Sequence, residues 1–354
     1  MVDYKKELSE LILDVLKENA SDLHLTVGRH PTIRVSGSLL PLIKKAILTP
    51  EDTQGLVYAM LDNDDQKTLD QNKELDFSYS YEEKARFRVN AFFERGYYSL
   101  ALRLIPQKIK TFSELGLPDF LADFSRKEQG FFLVVGPIGH GKSTTLAAIV
   151  DHINHNKSEH ILTIEDPVEY LYTQDKCIIN QREVRSDTQD FHTALRSMFR
   201  EDINVVLIGE MRDPETISAA VTASETGHLV LSSLHTNTAS QTIERVIDSF
   251  PSSQQNQIRL QLSGALLGIF SQRLVPRISG GRVPAYELLI NNPAVKNLIR
   301  ENRTHEIDII IETSLELGMI SLNRSLAALV QAGEITAESA ISYSVNPRGL
   351  EGLL

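Results

Sequence analysis

Residues 131–149 read Phe131-Phe-Leu-Val-Val135, then Gly136-Pro137-Ile138-Gly139-His140-Gly141-Lys142-Ser143-Thr144-Thr145, then Leu-Ala-Ala-Ile149. An apolar run without a charge predicts a buried strand. The glycine-rich turn ends it, and good helix formers follow. Strand, loop and helix in that order are what a phosphate-binding P-loop requires. Glycines at 136, 139 and 141 let the backbone curl so that its N–H groups can point at phosphate oxygens. A helix starting near Lys142 adds its positive N-terminal end. In this arrangement Gly136 through Thr144 cradle the phosphates. Lys142 reaches the β- and γ-phosphates, and the Ser143 hydroxyl holds Mg²⁺. The stretch predicts binding of ATP or GTP.

Outward from this stretch, apolar runs at 131–135, 160–164, 205–208 and 229–234 alternate with helical segments. That pattern predicts an α/β fold with a largely parallel sheet and the nucleotide at the strand ends. Upstream, Leu8, Leu11, Ile12, Val15 and Leu16 fall on one face of an opening helix. Around Leu23–Val27 and Ile33–Val35 the period changes to two, which predicts antiparallel strands. His24 and His30 sit among them without a carboxylate or cysteine cluster, and read as surface residues and not metal ligands. Thr49-Pro50-Glu51-Asp52 starts a helix expected to run through Leu61. Three more strands follow, at 75–81, 85–93 and 98–105. The expected organisation is an α+β domain over 1–105, a linker over 106–118 and a larger α/β domain over 119–354. Its last segment, 293–345, is helical, and the residues from Asn346 onward are expected to be loose.

With 354 residues the chain is long enough for two cores. A net charge of −11 argues against a surface built to coat nucleic acid. The single cysteine, Cys177, excludes an intrachain disulfide and a cysteine-only zinc site. The N-terminus lacks the apolar core of a signal peptide, and no apolar run approaches a membrane span. These features predict a cytoplasmic protein whose membrane contact is peripheral.

Ile161–Glu169 is a strand ending in three carboxylates, Glu165, Asp166 and Glu169. Beside a P-loop such a cluster can polarise a water or sit near Mg²⁺, and the other reading is a solvated turn. Val205–Asp213 is a buried strand ending in Gly209-Glu210, the place of a Walker B acid, so Glu210 is the candidate second Mg²⁺ residue, acting through water. Arg212 and Asp213 also read as a surface pair. Glu225–Thr238 places His228 and His235 at the two ends of a strand, followed by a polar Thr236-Asn237-Thr238 loop able to touch a γ-phosphate. Arg86, Arg88, Arg95 and Arg103 cluster on the last strands of the smaller domain. They read either as an arginine contribution to phosphates or as a solvated sheet edge.

Together these motifs resemble the type II/type IV secretion ATPase superfamily, and within it the type IV pilus retraction ATPases. The resemblance covers nearly the whole chain. Gly136–Ser143 matches Walker A, Ile164–Glu169 the Asp box, Leu207–Asp213 an atypical Walker B and Glu225–Asn237 the His box. Arg86-Phe-Arg-Val-Asn90 and Arg103-Leu-Ile-Pro106 match arginine-bearing strands of a PAS-like N-terminal domain. Asn180–Val184 and Ala294–Glu301 look like retraction-type signatures. The resemblance implies a RecA-like ATPase core in a homohexameric ring. Such a ring, driven by ATP and Mg²⁺, acts on the pilus base through an inner-membrane platform protein. It implies that Glu165 positions or activates the attacking water, Glu210 supports Mg²⁺ and His235 senses the γ-phosphate. Arg88 and Arg103 would reach nucleotide from the smaller domain. The sequence departs from the family pattern at His140, where Ser is usual, at Ile203-Asn204, where Pro-Asp is usual, and at Ser232-Ser233, where Thr is common.

Two other classes share parts of this pattern. A RecA-like nucleic-acid motor is disfavoured by the acidic charge, and a non-hydrolysing scaffold by the intact Lys142, Ser143, Glu165 and Glu210. Within the superfamily the alternative is a pilus-extension or type II secretion ATPase. Those relatives usually carry a Cys-x-x-Cys metal site, which a single cysteine cannot build. Ala294–Glu301, far from any phosphate motif, is expected to be an amphipathic helix that uses Leu298 and Ile299 to dock on a neighbour or a partner, the other reading being an ordinary core-packing helix.

Overall fold

The computed structural model describes residues 3–354 apart from Ser36, Glu83 and Gln107. It divides into two compact units. One comprises Met1–Lys108 with Pro167–Leu171, the other Ile109–Asp166 with Tyr172–Leu354. Among the described residues no helix is long and apolar enough to cross a membrane.

The first unit opens with α1 (Tyr4–Lys17), capped by the Asp3 carboxylate, and buries Leu8, Leu11, Ile12 and Val15 at helical spacing. Its six-stranded antiparallel sheet has the order β3-β2-β1-β6-β5-β4. The strands are β1 (Asp22–Leu25), β2 (Thr32–Val35), β3 (Ser38–Pro41), β4 (Glu74–Tyr81), β5 (Ala85–Glu94) and β6 (Tyr97–Ile105). Alternation decides what faces inward. On β5, Ala85, Phe87, Val89 and Ala91 are buried, while Arg86, Arg88 and Asn90 take the other face. The helix α2 (Pro50–Tyr58) starts at a Thr49/Asp52 capping box, as its sequence predicts, and ends three residues before Leu61. A further helix, α3 (Asn63–Asn72), is invisible as a periodic stripe because Leu69 alone is fully buried on it. The two histidines are not surface residues. His30 is half-buried with Nδ1 2.6 Å from the Lys45 carbonyl oxygen. His24 is half-buried too, because β1 lies in the middle of the sheet.

The second unit is built on a seven-stranded sheet of order β13-β12-β7-β11-β10-β8-β9. After the short helices α4 (Phe112–Leu115) and α5 (Leu121–Ser125) come β7 (Gly130–Val135), α6 (Lys142–Asn156), β8 (His160–Glu165) and β9 (Ile178–Glu183). Next are α7 (Phe191–Met198), β10 (Val205–Ile208), α8 (Pro214–Glu225) and β11 (Leu229–Leu234). Then follow α9 (Ala239–Asp248), α10 (Ser252–Ala265), β12 (Leu266–Pro276) and β13 (Arg282–Ile290). Strands β7 to β12 run parallel, and β13 returns antiparallel to β12. Every residue of β7 is buried, because Phe131, Leu133 and Val135 pack into one core and Phe132 and Val134 into the core on the opposite face. A strand covered on both sides shows no polar alternation, which is why its sequence is a continuous apolar run. The lone thiol of Cys177 lies in the second of these cores, where its Sγ donates to the Lys157 carbonyl at 3.1 Å.

The C-terminal segment is helical, as expected: α11 (Pro293–Arg300), α12 (Ile307–Thr313), α13 (Leu322–Gln331), α14 (Ala337–Tyr343) and α15 (Pro347–Glu351). Two expectations fail here. The residues after Asn346 are not loose, since the Asn346 side chain caps α15 and Leu350 is fully buried. Nor do Leu298 and Ile299 face outward. Both join Val295 in the larger core, and the exposed positions of α11 are Pro293, Ala294, Asn297 and Arg300. The amphipathic pattern is real, but its apolar side packs into the core against α10 and α12.

Candidate functional site

Parallel register brings the C-terminal ends of four strands to one edge. Leu234 of β11 pairs with Val135 of β7, and Ile208 of β10 pairs with both Ser232 and Ile164. The residues leaving those ends are Gly136, His235, Glu210 and Glu165. Three consecutive sequence motifs therefore converge beside the glycine-rich loop.

The loop's shape depends on two glycines. Gly136 has φ +145°, and a Cβ there would meet the Gln272 carbonyl oxygen at 2.3 Å. Gly141 has φ +81° and forms the N-cap of α6, whose N-terminus has no side-chain cap. Lys142 is buried under the loop. Its ammonium donates to the carbonyls of Gly136 (2.9 Å) and Pro137 (3.0 Å) and lies 3.1 Å from Nδ1 of His235. The other ring nitrogen of His235 lies 3.4 Å from Glu210. Lysine, histidine and glutamate thus form one chain from the loop to the end of β10. Glu210 also pairs with Arg212. Glu165 is 7% exposed and accepts from the Thr163 hydroxyl at 2.7 Å, which holds a carboxylate at the end of β8. Ser143 and Thr144 are half-buried in the first turn of α6.

The structure separates the two histidines that bracket β11. His228 is at the far end of the strand, with Nδ1 3.0 Å from the Ala223 carbonyl oxygen and its ring edge-on to Phe199. Only His235 reaches the loop. The polar run after it serves the fold: Thr238 caps α9, Thr236 bonds Thr242, and Asn237 accepts from Ser271. Asp213 caps α8, and Asp166 lies 3.6 Å from Arg185. The departures from the family pattern are also accounted for. Ser232 and Ser233 donate to the carbonyls of Ile208 and Gly209, tying β11 to the end of β10. Ile203 enters the core, and the Asn204 side chain accepts from the His160 N–H.

Sequence reasoning overlooked Gln272. It lies on β12, 2% exposed, and its carboxamide bonds both the loop and α6. The signal was a polar Ser271-Gln272-Arg273 interrupting an apolar strand.

In the first unit, Arg88 pairs in register with Arg103, Arg103 with Asp22, and Asp22 with Arg34. Four side chains of adjacent strands form one row, three cations around one carboxylate. Nε of Arg103 donates to Asp22 at 3.0 Å, while its side chain stays 73% exposed. Burial pushes the Asp22 carboxyl up, but hydrogen bonds from Ser21 and Arg103 outweigh it and leave the group below its ordinary value.

Comparison with known proteins fits this geometry. The family model described as "Type II/IV secretion system protein" matches residues 3–281. The chain belongs to this family. Its match to the family model takes in both units, the loop, the three acidic or histidine strand ends and β12, and stops before β13. The chain is 44% identical over 337 residues to the type IV pilus retractation ATPase PilT of Pseudomonas aeruginosa, covering 94% of this chain and 97% of that protein. It is 43% identical to a twitching motility protein of Neisseria gonorrhoeae, over 90% of this chain and 86% of that one. A crystal structure of the pilus retraction motor PilT with bound ADP superposes with a TM-score of 0.91 at 47% identity, covering 97% of this chain and 98% of that chain.

Proposed function

We propose that this chain is an ATP-hydrolysing motor that powers type IV pilus retraction. The observation that carries the reading is the Lys142–His235–Glu210 chain beside the glycine-rich loop, within a family member related to retraction ATPases over nearly its whole length. ATP phosphates enter at the uncapped N-terminus of α6. They draw the Lys142 ammonium away from the loop carbonyls, because a polyanion outcompetes neutral acceptors. Glu165, buried and held by Thr163, takes the proton from the attacking water. Glu210 and the Ser143 hydroxyl are hard oxygen donors that suit Mg²⁺. Among the described residues no group of three or more His, Cys, Asp or Glu could hold a metal by itself. Mg²⁺ needs only one or two protein oxygens when phosphates supply others, and when bound it neutralises charge on the transferring phosphoryl group. His235 loses its lysine neighbour when nucleotide arrives, so it is placed to report the γ-phosphate to Glu210. Arg88 and Arg103 supply cations from the first unit.

The working assembly is a homohexamer at the cytoplasmic face of the inner membrane, acting on the pilus base through the platform protein. The test joins three measurements on the full chain: native mass with an ATP analogue, Mg²⁺-dependent ATPase rate, and restored twitching in a strain lacking its retraction ATPase. A ring that hydrolyses ATP, restores extension and leaves retraction absent would favour the extension reading. Salt-dependent DNA binding with DNA-stimulated turnover would favour the nucleic-acid motor.

A further inference from the structure

A phosphate-binding loop works by aiming backbone N–H groups inward, so something must hold its carbonyls outward. Across a trans peptide the C=O of one residue and the N–H of the next point in opposite directions. Fixing a carbonyl therefore aims the following N–H. In this chain the carbonyls of Gly136 and Pro137 accept from Lys142. The Gly139 carbonyl accepts from Nη1 of Arg282 at 3.3 Å, and the His140 carbonyl accepts from Nε2 of Gln272 at 2.8 Å. The other end of the Gln272 carboxamide accepts from the Thr145 hydroxyl at 2.6 Å, one turn into α6. Two residues further along β12, the Leu274 N–H donates to Nδ1 of His140 at 2.9 Å. That bond requires an unprotonated Nδ1, and burial, with Arg273, Arg282 and Lys142 nearby, holds the His140 ring below the ordinary histidine range. The Gln272 carbonyl oxygen is also the atom that forbids a side chain at Gly136.

We propose that Gln272 is a positioning residue for the phosphate loop, bridging the His140 carbonyl to the Thr145 hydroxyl and so setting the direction of the Gly141 N–H. The proposal rests on the reading of 136–145 as a nucleotide site. Gln272 touches no phosphate. It acts through the peptide between His140 and Gly141, and His140, in place of the usual serine, adds a second strap through Leu274. When nucleotide arrives Lys142 leaves two of the loop carbonyls, so the β12 contacts, with Arg282 of β13, are the ones that hold the loop during binding.

The experiment is a titration of the full chain with a fluorescent ADP, beside steady-state ATPase kinetics and thermal melting. Gln272→Met keeps length and removes both bonds, leaving a buried carbonyl unsatisfied. It should weaken ADP binding about tenfold and raise KM similarly, with kcat changed by less than about threefold. Thr145→Val should give part of that loss, and Thr145→Ser, which keeps the hydroxyl, should restore wild-type affinity. If Gln272→Met does not fold, the two Thr145 variants carry the test between them. Equal ADP affinity in wild type, Gln272→Met and Thr145→Val would overturn the proposal, even if melting temperatures fell. Wild type that binds no ADP would overturn the nucleotide site itself, which distinguishes that failure from failure of the brace.

Discussion

Arg88 and Arg103 are direct cross-strand partners on β5 and β6, like charges placed opposite each other on one face of a sheet. Such pairs are destabilising unless an anion sits between or beside them. Asp22 lies 3.0 Å from Arg103 and 3.6 Å from Arg34, and a single carboxylate still leaves the row with an excess of positive charge. Arg88→Ala should therefore leave thermal stability unchanged or raise it slightly, by up to about 0.5 kcal/mol, while lowering ATP turnover strongly. Asp22→Asn should do the reverse to stability, costing about 1 kcal/mol, a small figure because Arg103 is largely exposed. It should also lower turnover, since Arg103 loses the carboxylate that orients it. Melting curves and ATPase rates on the same preparations check both. Full turnover in Arg88→Ala would leave the arginine row without a catalytic role.

Lys142 and His235 predict different losses. Lys142→Ala removes the only lysine of the loop and should abolish nucleotide binding with hydrolysis. His235→Ala should still bind ADP, because its bond to Lys142 belongs to the resting loop, and should lose turnover by about ten- to a hundredfold. An ADP affinity lost in His235→Ala would mean that the imidazole positions the lysine and does not act after binding.

Glu165 lies at the end of β8, where it accepts a hydrogen bond from the Thr163 hydroxyl. Glu165→Gln preserves shape and hydrogen bonding yet cannot accept a proton. ATP binding should persist while turnover falls about 10²–10⁴-fold. Pre-steady-state trapping of bound, unhydrolysed ATP is the direct readout, and normal hydrolysis in this variant would move the base elsewhere.

Glu287 on β13 is buried, and its Oε1 accepts from the Ala239 N–H at the start of α9. Burial, with Asp308 and Glu312 nearby, pushes its carboxyl from the ordinary value near 4.5 up to about 7, against the pull of the Ala239 N–H and Arg273. A raised carboxyl favours the folded state while protonated. Its contribution is fully present below about pH 4.5 and is lost as pH rises through about 7, amounting to at most about 3 kcal/mol. Glu287→Gln keeps the acceptor and removes the charge, so relative to wild type it should gain melting temperature at pH 8 and little at pH 5. The same difference at both pH values would contradict the raised carboxyl.

Leu298 and Ile299 now predict a folding defect. Truncating either to Ala opens a cavity costing about 2–5 kcal/mol, so the double variant should melt far below wild type or fail to fold. Arg300→Glu, on the exposed side of α11, should change stability by less than about 0.5 kcal/mol. A wild-type melting curve for the double alanine variant would restore the outward-facing reading.

The glycine loop, the parallel strands that flank it and the acids at their ends were legible because each combines a composition with a position: an uncharged run, a turn and a carboxylate. The second half of the sheet was not. β12 hides its alternation because Ser271 and Gln272 are buried polar residues bonded to Asn237, His140 and Thr145, partners distant in sequence. β9 carries Asn180–Glu183, polar enough to read as a motif and not as a strand, since it lies at the sheet's edge. Periodicity found α11 but not its direction. The same stripe suits a partner or a core, and only the placement of α10 and α12 against it decides between them. His235 and His228 looked equivalent until the strand's direction set one at the loop and the other roughly 23 Å away, seven residues at about 3.3 Å each.

Cys177 has a practical consequence. It is the chain's sole cysteine, enclosed in the core, and burial raises its thiol above the ordinary range, so little thiolate exists at neutral pH and reagents cannot reach it. A maleimide dye added to the native protein should find nothing to label. A cysteine introduced at exposed Asn297 or Ile309 would then carry the dye alone, in an otherwise unaltered sequence. In the proposed ring, mixing donor- and acceptor-labelled subunits would turn each ATP cycle into a change of emission colour, watched in real time.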